Sequence, residues 1–180
     1  MHSSQSTRRQ RGVTLIETMI VVAVSAVVLG TAAPSFKQMS ARHQVEGPAI
    51  ELASNLLFAR SEAISRNESV RLSFQSPAAG ACYVVHTGDA GDCVCSGSGP
   101  ALCSNGAREI KTVLLPASRP VTLQSNVASM LFHPVRGTTT PTGTVKVLGA
   151  NGYAVHHVVN LMGRVRSCAP AARMPGYRSC

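Results

Sequence analysis

Two arginines one residue apart, Arg164 and Arg166, follow Gly163 near the C-terminus. On an extended strand alternate side chains share a face, which would set the two guanidinium groups about 6.8 Å apart. That is close to the spacing of phosphates along one nucleic-acid strand, and a guanidinium fork holds a phosphate bidentately. Glycine at 163 would let a backbone or a phosphate come near. The surrounding charge agrees. Glu109 is the last acidic residue; beyond it stand Lys111, Arg119, Arg136, Lys146, Arg164, Arg166, Arg173 and Arg178, with no Asp or Glu among them. A basic half without counter-charge points to a polyanionic partner. Gly163, Arg164, Arg166, Arg136, Lys146, Arg173 and Arg178 are the expected contact residues. There is no Trp, with only four Phe and three Tyr, so stacking platforms for single strands are poorly supplied. Contact with the phosphates of double-stranded DNA, salt-dependent and largely blind to sequence, fits better. The plainer alternative is a solvated basic surface that aids solubility.

Other chemistries are poorly provided for. Every acid precedes position 110, half of them on the helix-like stretch that ends at Asn67, and no Ser/His/Asp or paired-carboxylate constellation stands out; an enzyme is not expected. His156 and His157 are adjacent, so on a strand they would face opposite ways and could not share a metal ion. Six cysteines, Cys82, Cys93, Cys95, Cys103, Cys168 and Cys180, form an even set that fits disulfides in an oxidising compartment. A zinc site is disfavoured, because Cys93-Val94-Cys95 is C-x-C and Cys103 has no His nearby. Cys168 and Cys180 bracket eleven residues, and a disulfide between them would close the tail beside Arg164 and Arg166. The pairing among the other four stays open. No cofactor is implied.

These residues need elements to position them. Residues 1–12 are polar and basic, without the apolar core of a secretory signal. Val13 to Ala33 is an apolar run of 21 residues, about 31 Å as a helix, enough to span a bilayer. A single carboxylate, Glu17, interrupts it, and a charge at the bilayer centre costs about 2.5–3.5 kcal/mol. Pro34 should kink the helix rather than end it. Across 34–67 the pattern is amphipathic: Val45, Ala49, Leu52, Ala53, Leu56, Ala59, Ala63 and Ile64 recur at spacings of three and four. Gly47-Pro48 predicts a break, with Pro48 opening the next helical segment, and Asn67 predicts the exit. Residues 68–180 read as β, with strands expected at 69–75, 82–86, 110–115, 121–124, 129–133, 144–148, 154–160 and 161–166. Asn151-Gly152 marks a tight turn. Residues 87–106 form a stapled loop, and 169–180 an irregular tail. The expected class is α+β: a long N-terminal helix, membrane-spanning in its first half, packed on a β-sheet-rich domain.

Gly12, the apolar run behind it and Glu17 at the fifth position of that run resemble the leader of type IV prepilins. The string ELASNLLFARSEAISRNESVRLSF, with Leu56, Ala59, Arg60, Ser61, Glu62 and Ala63, resembles the helix-to-strand passage of the FimT/GspH family. Gly163-Arg164-Val165-Arg166 resembles the G-R-x-R element of FimT-type minor pilins linked to DNA uptake. The resemblance implies cleavage after Gly12 by a prepilin peptidase, N-methylation of Val13, and pairing of Glu17 with a neighbouring subunit. Cleavage would remove Arg8, Arg9 and Arg11, lowering the formal charge from +9 to +6. It also implies an inner-membrane protein, single-pass with a periplasmic C-terminal domain, that joins other pilins in a pilus fibre. Its function would be non-specific DNA binding in natural transformation. The alternatives are a structural minor pilin that primes assembly without binding DNA, and a GspH-type pseudopilin of type II secretion. Gene neighbourhood separates pilus from secretion system.

Overall fold

The structure, a computed structural model, describes residues 12–171 and 174–180, with the backbone alone at 32–34. Two units divide the chain near Met39 and Ser40. In the first, helix α1 (Leu15–Arg66) begins. The Thr14 carbonyl accepts the amides of Glu17 (3.1 Å) and Thr18 (3.2 Å), so Glu17 lies in the first turn, where a carboxylate complements the helix dipole. Val13, Leu15, Ile16, Met19, Ile20 and their successors to Leu29 are all exposed. By length and composition this stretch can cross a membrane.

In the second unit α1 presents a stripe to the core. Val45, Ala49, Leu52, Leu56, Ala59 and Ala63 are fully buried, following the three-four spacing; replacing either leucine by alanine would cost about 2–5 kcal/mol. Ala53 is half-buried and Ile64, expected inside, is exposed, because each sits one residue, about 100° of helix rotation, off the stripe. The expected break at Gly47-Pro48 does not occur: α1 runs through it. Buried Val45 and Ala49 anchor both sides of Pro48. The Gln44 carbonyl, which loses its amide partner at Pro48, belongs to an exposed residue that water can reach. Asn67, at φ 50°, closes the helix. Its amide reaches the Ile64 carbonyl (3.3 Å), and that of Glu68 reaches Ala63 (3.2 Å), a Schellman ending.

The rest is β. The strands are β1 (Val70–Gln75), β2 (Gly80–Thr87), β3 (Cys93–Val94), β4 (Leu102–Cys103), β5 (Glu109–Pro116), β6 (Val121–Ser125), β7 (Ser129–Phe132), β8 (Thr139–Thr140), β9 (Gly143–Gly149), β10 (Ala154–Val159), β11 (Val165–Ala169) and β12 (Arg178–Ser179). One sheet has the order β5-β2-β1-β7-β8, a second β12-β11-β10-β9-β6, and β3-β4 is a small hairpin. Inward residues of both large sheets, among them Leu72, Tyr83, Phe132, Val147 and Val155, share one core with α1. The stapled loop carries Cys82–Cys95 and Cys93–Cys103; the latter follows the β3-β4 register, which sets Cys93 opposite Cys103. The tail is not wholly irregular, since β12 lies parallel to β11 with Cys168 beside Arg178, and Cys168 is bonded to Cys180.

One polar side chain sits on the buried stripe. Asn55 donates from Nδ2 to the Tyr83 hydroxyl (2.8 Å) and accepts from Lys111 Nζ (2.8 Å), and Lys111 reaches Glu51 at 3.9 Å. Burial pushes the Tyr83 hydroxyl pKa up, so this chain of contacts is held with a neutral phenol.

Candidate functional site

The second sheet turns one face to the core and one to solvent. In β9 and β10, Val145, Val147, Val155, His157 and Val159 are buried, while Lys146 and Val158 are exposed. Register carries the outer row across five strands: Gln124 opposite Lys146, Lys146 opposite His156, His156 opposite Cys168, Cys168 beside Arg178. Arg166 stands opposite Val158 on the same face. Arg166 and Arg178 line a cleft of about 410 Å³ with Ser167 and the Cys168–Cys180 disulfide. Lys146, Arg166 and Arg178 thus occupy one surface.

Arg164 is placed differently. The expected strand at 161–166 starts only at Val165. Before it, the Gly163 amide donates to the Asn160 carbonyl at 2.8 Å and Asn160 Oδ1 accepts the Arg164 amide at 3.0 Å, so Leu161–Arg164 is the turn that reverses β10 into β11. Arg164 and Arg166 are therefore not two alternate residues of one strand. Gly163 is buried at φ 68°. A Cβ there would stand 2.3 Å from the Gly137 carbonyl oxygen, so the close approach this glycine permits is that of another backbone. The same oxygen accepts from Arg60 Nε at 3.0 Å. Arg136 and Arg164, each one residue from the Gly137–Gly163 contact, are brought together in this way, beside but off the sheet face. Arg173 lies outside the described residues. Asn160 carries no signal in the sequence that marks it as a positioning group, and Arg60 stands out there only as a member of the helix-to-strand string.

Ion pairing separates the two halves of the domain. Glu46 lies 3.8 Å from Arg42, Glu62 pairs with Arg66, Glu68 with Arg108 at 2.7 Å, Asp89 with Arg71 at 3.9 Å, and Glu51 with Lys111. Asp92 is held by Asn105 (2.8 Å) and Glu109 by Thr112 (2.6 Å). Among the described residues no acid pairs with Arg119, Arg136, Lys146, Arg164, Arg166 or Arg178, and their positive charge faces solvent.

Burial works against a charge on His156 and His157, the two histidines of this sheet. His157, beneath the sheet, contacts Ser167 Oγ through Nδ1 at 2.8 Å, and burial pushes its pKa down to about 4. On the outer face, burial and then Lys146 lower that of His156. Its Nδ1 stands 3.7 Å from Cys180 Sγ; a disulfide sulfur has no proton, so any hydrogen bond is donated by the imidazole. Among the described residues no group of His, Cys, Asp and Glu is arranged to hold a metal ion.

Two family models match the chain. One, described as Type II transport protein GspH, covers residues 49–163; the other, described as the prokaryotic N-terminal methylation motif, covers residues 7–33. The minor pseudopilin EpsH from the Type 2 Secretion System of Vibrio cholerae has a similar fold. Its TM-score is 0.50 at 12% identity, over 71% of this chain and 98% of that one. The type IV minor pilin FimU of Pseudomonas aeruginosa gives a TM-score of 0.49 at 17% identity, over 71% of this chain and 90% of that one. No curated protein sequence matches the chain.

Proposed function

The chain belongs to the GspH family of type II transport proteins, and on that premise we propose that it is a minor pilin that binds double-stranded DNA through its C-terminal sheet during DNA uptake. The observation that carries the DNA reading is the unpaired basic surface. Lys146, Arg166 and Arg178 share the outer face of one sheet, Arg136 and Arg164 stand at its margin, and the acids from Glu46 to Glu109 are engaged elsewhere. Exposed cations without counter-charge gain most from a polyanion, whose condensed counterions they release.

The N-terminus supports the pilin part. The methylation motif spans residues 7–33, consistent with a prepilin peptidase cutting after Gly12 and methylation of Val13. The freed amine would pair with Glu17 of a neighbouring subunit, offsetting the burial of both charges in lipid. In this reading the helix anchors the protein in the inner membrane, with the sheets on the periplasmic side, until other pilins take it into the fibre.

The test uses the mature full-length protein in detergent, titrated onto two unrelated duplexes at several salt concentrations. Similar affinities for both, falling steeply with salt, support the reading; absence of binding at low salt overturns it. The family description favours a second reading, a pseudopilin of a secretion system. Deletion of the gene separates the two: loss of transformation with secretion intact supports the first, the reverse the second.

A further inference from the structure

Two neighbouring turns carry large apolar side chains at positions where turns favour Gly, Asn, Asp, Pro and Ser. Closure of the β10–β11 turn by Gly163 and Asn160 makes Leu161 and Met162 its central residues, 55% and 54% exposed. The turn after β7 is closed by the Gly137 amide on the His133 carbonyl at 2.9 Å, with Val135, 84% exposed, at its crest. The turns are tied together: the Thr139 amide donates to the Leu161 carbonyl at 2.9 Å, and Gly163 abuts Gly137. Arg136 and Arg164 are exposed, one in each turn, and neither has an ion pair among the described residues.

The result is a tip that is apolar at its crests, cationic at its sides and without an acid. Exposed apolar clusters of this kind mark contact surfaces. The arginines select an anionic partner, and the apolar crests ask for something to bury against; a base stack between two phosphate strands offers both. We propose that this tip is a wedge. As the basic sheet takes up duplex DNA, Leu161 and Met162 enter between neighbouring base pairs, while Arg136 and Arg164 hold phosphates on either side. Proteins that bend DNA insert Leu, Ile and Met in this manner. The inference rests on the DNA reading above and adds a selectivity to it. A duplex whose stack is opened by a mismatch binds more tightly than the same duplex fully paired.

The experiment uses the mature full-length protein in zwitterionic nanodiscs. The probes are a paired duplex and the same duplex with one mismatch, each carrying 2-aminopurine. Wild type is compared with Leu161→Ser/Met162→Ser and with Arg164→Gln, each checked for fold by circular dichroism. The expected results are a rise in 2-aminopurine fluorescence on binding wild type and tighter binding of the mismatched duplex. The double variant should lose roughly tenfold in affinity, in line with half-burial of a Leu-sized side chain, keep its salt slope and give no fluorescence rise. Arg164→Gln should lower the salt slope by about one. Salt-dependent binding by wild type with flat fluorescence, and an unchanged double variant, overturns the wedge and leaves the DNA reading standing. No binding to either duplex overturns the DNA reading itself. If the double substitution instead abolishes binding to anionic vesicles or to a neighbouring pilin, with DNA affinity unchanged, the tip serves a membrane or a protein and the wedge is refuted.

Discussion

Gly163→Ala isolates the contact that brings the two arginine-bearing turns together. At φ 68° an L-residue pays about 1–2 kcal/mol for the left-handed conformation. The new Cβ would also lie 2.3 Å from the Gly137 carbonyl oxygen and 3.0 Å from Arg60 Cδ and Nε. A backbone oxygen cannot swing aside as a flexible side chain does, so the turns must part, at a cost of about 1–3 kcal/mol. The expected total is about 2–5 kcal/mol. Gly106→Ala is the control: its φ is 75°, but nothing lies within 4 Å of the added Cβ, so only the conformational penalty of about 1–2 kcal/mol applies. Urea unfolding of the full-length protein in detergent, followed by far-ultraviolet circular dichroism, measures both. Equal destabilisation by the two substitutions would refute the claim that Gly163 is required by the Gly137 backbone, and phosphate access would become the better account of that glycine.

Three further outcomes are expected. His157 has its pKa lowered to about 4 by burial, below the ordinary 6.5, so the unfolded state takes up the proton first: stability is full above about pH 6.5 and declines as pH falls to about 4, by about 3 kcal/mol, and His157→Gln should flatten that part of the profile in acid-unfolding curves. Replacing Cys168 and Cys180 together by Ser removes a constraint of roughly 3 kcal/mol on the unfolded chain and leaves β12 with two register pairs; proteolysis should reach residues 170–180 first, and the salt slope of DNA binding should fall by about one as Arg178 is lost. Gly12→Val should leave the leader attached, and intact-mass spectrometry that finds a mature N-terminus anywhere but Val13 contradicts the proposed processing.

The helix stripe was legible because periodicity reports burial directly: Val45, Ala49, Leu52, Leu56, Ala59 and Ala63 are all fully buried. The burial of Asn55 on the same stripe has no such local signal, because its partners Tyr83 and Lys111 lie 28 and 56 residues away. Pro48 has the same origin, since local propensity opposes helix there and packing on either side overrides it. Most strands fell where β-rich runs stood between turn signals. The two-residue strands β3, β4, β8 and β12 are too short to carry a pattern, and among the expected runs 161–166 starts late because Leu161 and Met162 carry a strand-like signature at the centre of a turn. The basic face was legible as composition, while its geometry was not. Only the register of five strands shows that Lys146, Arg166 and Arg178 share one surface, and only a contact between two turns shows that Arg136 accompanies Arg164.

The most direct measurement of DNA recognition is the salt dependence of duplex affinity for wild type and for the triple variant Lys146→Gln/Arg166→Gln/Arg178→Gln, with Arg119→Gln, outside the sheet row, as the comparison. Each phosphate contact contributes about 0.9 to the slope of log affinity against log salt. The triple variant is expected to lose about 2.7 of that slope on any duplex while Arg119→Gln loses none. A triple variant with the wild-type slope, or a wild type that binds no duplex at low salt, would rule out DNA recognition by this face.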